Sequence, residues 1–349
     1  MPTPERGRRV RVALDLLGGD AAPGVVADAA ALVHREEPDV DLVLVGPSEE
    51  TRRLLAARDL DGRLRRLKIV DAAHGVTMGE DPLAAVRAPV APSVRVAAEL
   101  VRAGDADALV SAGPTGASVA ASVLHLGRWP GVVRPALAAL VPAATGTVVL
   151  LDAGAAPTAG AAVLARYAEL GAAYATALGA HDPRVGLLSI GAEPGKGDDL
   201  RRTAHALIAQ LPLRFVGNVE GGDVCRGERA NVVVTDGFTG NVLLKGMEAA
   251  ARLAVDRLLS VTGASGSAGA LAALAARVEP DQQGGGVLLG VAGTCVICHG
   301  GSGPVALAAG VVLAARLARD RTIDVAARLY RPVEPSQQDS SPRMASEPW

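Results

Sequence analysis

The chain is poor in aromatic side chains: two Trp, three Tyr and two Phe make up 2% of its 349 residues. Stacking platforms for bases are therefore scarce, and a net charge of −2 offers no basic field for a phosphodiester backbone, which excludes a nucleic-acid binder. Cysteine is equally thin, at three residues, which suits a reducing compartment and excludes a disulfide framework. Of the 35 basic residues only three are Lys, namely Lys68, Lys196 and Lys245; Asn is as rare, with Asn218, Asn231 and Asn241. Arg has taken over the ordinary surface role, so the few remaining Lys and Asn point to positions held for their chemistry. No apolar stretch long enough for an export signal precedes Asp15, and the least charged segment, 286–315, is broken by GGSGP at 300–304. That segment reads as a buried strand followed by a buried helix, and the chain as cytoplasmic.

What is present is a 49% hydrophobic content dominated by Ala, Val and Leu, ample for a core. Apolar runs at 10–17, 40–45, 68–70, 148–151, 185–190 and 214–216 read as strands, separated by helical patterns at 23–34, 80–88, 93–103 and 160–178. This alternation predicts a parallel, helix-flanked α/β sheet within one domain, 1–332, ahead of a disordered Pro/Ser-rich tail, 333–349. A helical hairpin is expected at about 247–280, either packed in the core or a dimer contact, or else facing a membrane or an acyl chain.

Two turns dominate the chemistry. In DALVSAGPTGASVAA (107–121) an apolar run stops at a small-residue turn before a helix; Gly113 and Gly116 permit close approach, Ser111 and Thr115 supply hydroxyls, and the helix start offers free amides. VVVTDGFTGNVLL (232–244) repeats the device, with Asp236, Gly237, Thr239, Gly240 and Asn241 between strand and helix. Two such turns in one parallel sheet are expected to face each other across a cleft at the carboxyl ends of their strands.

Other patterns are weaker. Cys295-Val-Ile-Cys298-His299 has the spacing of haem attachment, yet it continues an apolar strand and offers too few ligands for zinc. The loop ending in Lys196-Gly197 falls one residue short of a P-loop and lacks the following Ser or Thr. GxGxxA at 301–306 is a faint dinucleotide signal without an acidic ribose partner, and no Gly-x-Ser-x-Gly elbow activates Ser111. What remains suits holding an oxyanion and stabilising charge, with no cofactor or metal implied.

Taken in order, LLGGDAAP (16–23), MGEDPLAAVR (78–87), SAGPTGA (111–117), PGVVRPALAALVP (130–142), LLDAGA (150–155), SIGAEPGKG (189–197), GNVEGGDV (217–224), DGFTGNVLLK (236–245) and LLGVAGTCVICHGGSG (288–303) resemble the motif series of the PlsX-type phosphate acyltransferases. The resemblance implies a three-layer α/β/α, Rossmann-like, mostly parallel sheet with a protruding helical hairpin. It also implies a homodimer, peripheral membrane contact, and acyl transfer from acyl carrier protein to inorganic phosphate for phospholipid synthesis. Under it Lys196 is the charge partner of phosphate or oxyanion, or an ordinary loop Lys; Asn241 is a donor to the carbonyl oxygen, or a helix cap. Gly113, Thr115 and Gly116 would hold phosphate, while Asp20, Asp152 and Asp236 would fix loops by accepting amide hydrogen bonds. His299 would donate to an anion or satisfy a buried carbonyl. The other positions expected to border phosphate or substrate are Gly18 and Gly19, Gly154, Gly197, Asn218 and Glu220, and Gly237, Thr239, Gly240 and Lys245. The family's Asn is replaced by Pro114, Ala156 and Ala292, and its Lys and Ser pair by APVAPS (88–93), in turns expected to line the cleft. Such departures predict a divergent member with weaker or altered activity; the competing readings are a non-catalytic scaffold dimer and a nicotinamide-linked dehydrogenase.

Overall fold

Short runs of Val, Leu and Ala, buried on both faces except in the strands at the sheet's two edges, build one eleven-stranded sheet in this computed structural model, which describes residues 9–58, 60, 66–262 and 284–332. In chain order the elements are β1 (Val10–Asp15), α1 (Gly24–Glu36), β2 (Val40–Gly46), α2 (Ser48–Ala56), β3 (Leu67–Asp71), α3 (Pro82–Arg87), α4 (Ser93–Ala103), β4 (Ala108–Ser111) and α5 (Thr115–His125). They continue as β5 (Ala136–Ala143), β6 (Gly146–Leu151), α6 (Ala161–Ala177), β7 (Arg184–Leu188), α7 (Asp199–Ile208), β8 (Arg214–Val219), α8 (Gly221–Arg226), β9 (Val232–Val234) and α9 (Gly237–Thr262). The last are β10 (Gly286–Leu289), β11 (Thr294–Ile297), α10 (Pro304–Arg319) and α11 (Thr322–Leu329).

The strand order is β3-β2-β1-β4-β11-β10-β5-β6-β9-β7-β8. Seven of its ten pairings are parallel, as expected; β11 with β10, β10 with β5, and β5 with β6 are antiparallel. Those three steps leave β3, β2, β1, β4, β11 and β5 running one way and β10, β6, β9, β7 and β8 the other. The two Gly-rich turns therefore do not share one rim: their strands, β4 and β9, point in opposite directions. Segment 286–315, expected as one strand and a helix, holds an antiparallel pair ahead of α10. Nothing local announces the reversal, because β10 and β11 are buried throughout and lack the polar–apolar alternation of a half-exposed hairpin.

One face of the sheet carries a continuous core against α1, α2, α6, α7, α10 and α11. The other face is split. Beside β1 and β4, the apolar sides of α3, α4 and α5 form one cluster that includes Leu137 of β5. Beside β6 and β9, α8 and α9 form a second that includes Ala139, two residues along the same strand. Each fully buried Leu, such as Leu109 and Leu150, contributes roughly 1.5–3 kcal/mol, and between the two clusters that covering is missing.

The first arm of the expected hairpin is α9; the second arm and the tail 333–349 lie outside the described residues. Among the described residues no helix is long and apolar enough to cross a membrane.

Candidate active site

The interruption between the two clusters is a cleft of about 190 Å³. Leu137, Ala139, Gly286 and Ile297 form its floor, Gly113 and Thr115 one wall, and Gly154, Asn241, Leu244 and Lys245 the other. His299, Met78, Glu248 and Cys298 also border it.

The first wall rests on a carboxylate that the sequence motifs did not single out. Asp15, at the end of β1, is buried and accepts from Ser93 Oγ at 2.6 Å and Ser111 Oγ at 2.7 Å. Burial pushes its carboxyl above the ordinary range, against the pull of these hydroxyls and of the Leu17 and Gly18 amides. Ser111 Oγ in turn accepts from the Gly113 amide at 3.0 Å, so that donor is spent inside the fold. Pro114 has no N–H, and the Ala117 and Ser118 amides both donate to its carbonyl. Thr115 and Gly116 thus carry the open amides at the start of α5, where the helix dipole favours an anion. A Cβ on Gly116 would lie 2.9 Å from Pro82 Cγ, so this glycine also lets α3 pack on α5. Gly18 and Gly19 lie against the same turn, and the Asp20 amide donates to Gly300 O at 2.8 Å.

The second wall is organised by Asp152, which is fully buried at the end of β6. It accepts four amide hydrogen bonds, from Leu137 (3.0 Å), Gly154 (3.0 Å), Ala155 (2.8 Å) and Ala156 (2.9 Å). The Ala156 carbonyl then accepts from Gly237, and a Cβ on Gly240 would land on the Asp152 carbonyl oxygen, so only glycine lets α9 start this close. Asp236 caps that start, accepting from the Thr239 amide and hydroxyl, each at 2.9 Å. The consequence is placement: Asn241 sits against Gly154, with Lys245 one turn further and Glu248 beyond it. Glu248 Oε1 lies 3.7 Å from His299 Nε2.

Other expected residues fall elsewhere. Lys196 is exposed on the loop between β7 and α7, its stem over Gly191, and is not part of the cleft lining. Asn218 Nδ2 secures that loop through Glu193 O at 3.1 Å, Gly197 turns it with φ +100°, and Asp198 caps α7. Glu220 begins α8, its amide donating to Asp223 Oδ2 at 2.9 Å. Pro114, Ala156 and Ala292 do not line the cleft either; Ala156 and Ala292 serve through main-chain bonds, the latter donating to Gly127 O at 2.9 Å.

Arg201 on α7 is a link that composition could not reveal, being one Arg among many. Its guanidinium bonds Asp236 Oδ2, Thr239 Oγ1 at 3.0 Å and Asp198 Oδ2 at 2.9 Å, joining the Lys196 loop to the start of α9. Burial works against an ionised Asp236, but the Thr239 donors and Arg201 outweigh it and hold the carboxyl below its usual range. Arg201→Ala is expected to cost on the order of 2 kcal/mol in urea unfolding at pH 7. A depressed carboxyl stabilises the fold above its unfolded value of 3.8, and that stability is lost as pH falls through the folded value. The variant should therefore lose less stability than the parent between pH 5 and pH 2, read from urea midpoints.

Solved structures of the same architecture include a phosphotransacetylase from Streptococcus pyogenes, at TM-score 0.59 and 18% identity over 89% of this chain and 94% of that one. A branched-chain phosphotransacylase from Enterococcus faecalis V583 aligns at TM-score 0.57 and 15% identity over 91% of this chain and 99% of that one. They define the fold class as a three-layer α/β/α architecture on a mostly parallel sheet. The family model described as fatty acid synthesis protein matches residues 10–325. Phosphate acyltransferases are similar along most of the chain: 41% identity over 307 residues in Desulfitobacterium hafniense (strain Y51), 85% of this chain and 90% of the relative. Those of Thermobifida fusca (43%, 90% and 89%) and Ruegeria sp. (40%, 99% and 96%) agree. The chain belongs to this family, the PlsX-type phosphate acyltransferases that the motif series resembles.

Proposed function

We propose that the chain moves a fatty acyl group from an acyl carrier protein thioester to inorganic phosphate, giving an acyl phosphate for phospholipid synthesis. It does so as a cytoplasmic homodimer with peripheral membrane contact. One observation carries this reading: the cleft gathers amide, hydroxyl and ammonium donors without an activated nucleophile of its own. Cys298 borders it, but burial pushes the thiol up to about 12, so it stays protonated near neutral pH. Phosphate is already an anionic nucleophile and a thiolate leaves readily, so the protein need only align the two and stabilise charge.

In this mechanism the Thr115 and Gly116 amides and the Thr115 hydroxyl hold phosphate at the start of α5, with Lys245 supplying positive charge across the cleft. A phosphate oxygen bonds to the thioester carbonyl carbon, and Asn241 Nδ2 donates to the oxyanion that forms. Collapse breaks the C–S bond and the carrier's thiolate departs.

The test is acyl phosphate production from an acyl carrier protein thioester, trapped as the hydroxamate, with and without phosphate. Phosphate-dependent product is expected, strongly reduced in Lys245→Ala, with no acylated protein in the intact mass spectrum. An acylated chain would remove the direct mechanism; carrier binding without turnover would make the protein a scaffold.

A further inference from the structure

We infer that His299 is a catalytic residue that carries a proton from phosphate to the departing sulfur, with Glu248 as its positioning residue. This rests on the acyl-transfer reading above and adds the proton transfer which that reading leaves open. Near neutral pH the nucleophile is hydrogen phosphate, a dianion that still bears one P–OH. One of its unprotonated oxygens bonds to the thioester carbonyl carbon and the C–S bond breaks. Acylation makes the remaining P–OH far more acidic, while the carrier's sulfur leaves as a thiolate whose ordinary pKa of about 8.5 favours the thiol. The products are an acyl phosphate dianion and a thiol, so the proton lost by phosphate is the one gained by sulfur, and no further reactant enters.

His299 stands where both ends of that transfer meet. Its main chain belongs to the phosphate wall: the Cys298 amide donates to Ser111 O at 2.9 Å, the Asp20 amide to Gly300 O at 2.8 Å, and the Ser302 amide to His299 O at 3.0 Å. Its side chain, 46% exposed, meets the opposite wall, with Nε2 3.7 Å from Glu248 Oε1. Glu248 borders the cleft two turns beyond the oxyanion donor Asn241 on α9 and one beyond Lys245. A carboxylate on the wall of a cleft for a dianion repels its ligand, so phosphate binding alone gives Glu248 no role. Facing an imidazole, it favours the N–H at Nε2 and leaves Nδ1 to take the P–OH proton and pass it to sulfur. At 3.7 Å the pair is a charge contact, which the protonated ring would tighten. The titratable groups around His299 are Glu248 and Lys245 on α9, Asp20 against Gly300, and Cys298 beside it, whose thiol burial pushes up to about 12. Of these residue types only imidazole takes up and releases a proton readily near neutral pH.

The reverse reaction tests this in the full chain: acyl phosphate plus the free carrier protein thiol, followed as acyl carrier by mass spectrometry. Here the proton must leave sulfur, and at high pH solvent removes it instead, because the thiolate fraction of an ordinary thiol rises about 30-fold between pH 7 and pH 9.5. His299→Gln is expected to be slowed about 10²-fold at pH 7 and only about threefold at pH 9.5, with the KM for acyl phosphate near the parent's. Glu248→Gln should be slowed less at pH 7 and recover in the same way. Should the urea midpoint of His299→Gln fall, Glu248→Gln, which leaves the imidazole in place, carries the same pH test. Equal slowing at both pH values, or a defect confined to KM, would make the imidazole a substrate contact and overturn the proton transfer. A Glu248→Gln chain as fast as the parent at pH 7 would overturn the positioning role. A parent chain inactive in both directions would overturn the acyl-transfer reading itself.

Discussion

Asn241→Ala is expected to lower kcat by about 10²- to 10³-fold while the KM for phosphate changes little. The reason is geometric. The Asp152 hub and the glycine at position 240 bring the first turn of α9 onto the loop after β6, which sets the Asn241 amide against Gly154 inside the cleft. A donor aimed at an oxyanion that exists only during reaction strengthens in the transition state, so its removal acts on kcat. Asn241→Asp keeps the shape but replaces the donor by an acceptor of the wrong charge, and should be at least as slow. Initial rates of acyl phosphate formation at saturating phosphate decide it. A defect confined to KM would make Asn241 a simple contact with substrate, and an unaltered rate would make it a helix-start residue.

Asp152→Ala is expected to be the most destabilising single change, on the order of 3–5 kcal/mol, out of a total stability that for most domains is only about 5–15 kcal/mol. Three amides of the loop after β6 and the Leu137 amide of β5 converge on this carboxylate, which is 0% exposed. Asp152→Asn should cost much less, since Oδ1 alone serves Leu137, Gly154 and Ala155 while only Ala156 relies on Oδ2. Urea unfolding of the three chains tests this ordering; equal losses for Ala and Asn would show that the charge, and not the acceptor geometry, matters. Because α9 starts on the same loop, the Ala variant should also lose activity below its unfolding midpoint.

Much of the site was legible one turn at a time. The scarcity of Asn and Lys directed attention to Asn241 and Lys245, and the structure puts both on the cleft wall, four residues apart on one helix. Ser111 was legible as a hydroxyl at a strand end. That it spends itself on Asp15 and on the Gly113 amide was not, since Asp15 lies 96 residues away along the chain. Lys196 met the same scarcity criterion and lies outside the cleft lining, because rarity marks a residue without saying which wall its loop joins. Arg201 was not legible, because beyond the neighbouring Asp198 its partners on the β9–α9 turn are 34 to 38 residues distant.

By itself the sequence determined the alternation of strand and helix, the family through its ordered motifs, and the small-residue turns that cap α5 and α9. These depend on neighbours within a few positions: apolar runs, cap-forming side chains and glycines where two backbones approach. Only the tertiary structure decided that the two turns belong to oppositely running halves of the sheet, and that the cleft lies over the antiparallel strands between them. Strands buried on both faces carry no alternation to reveal their direction, so pairing between distant segments sets it.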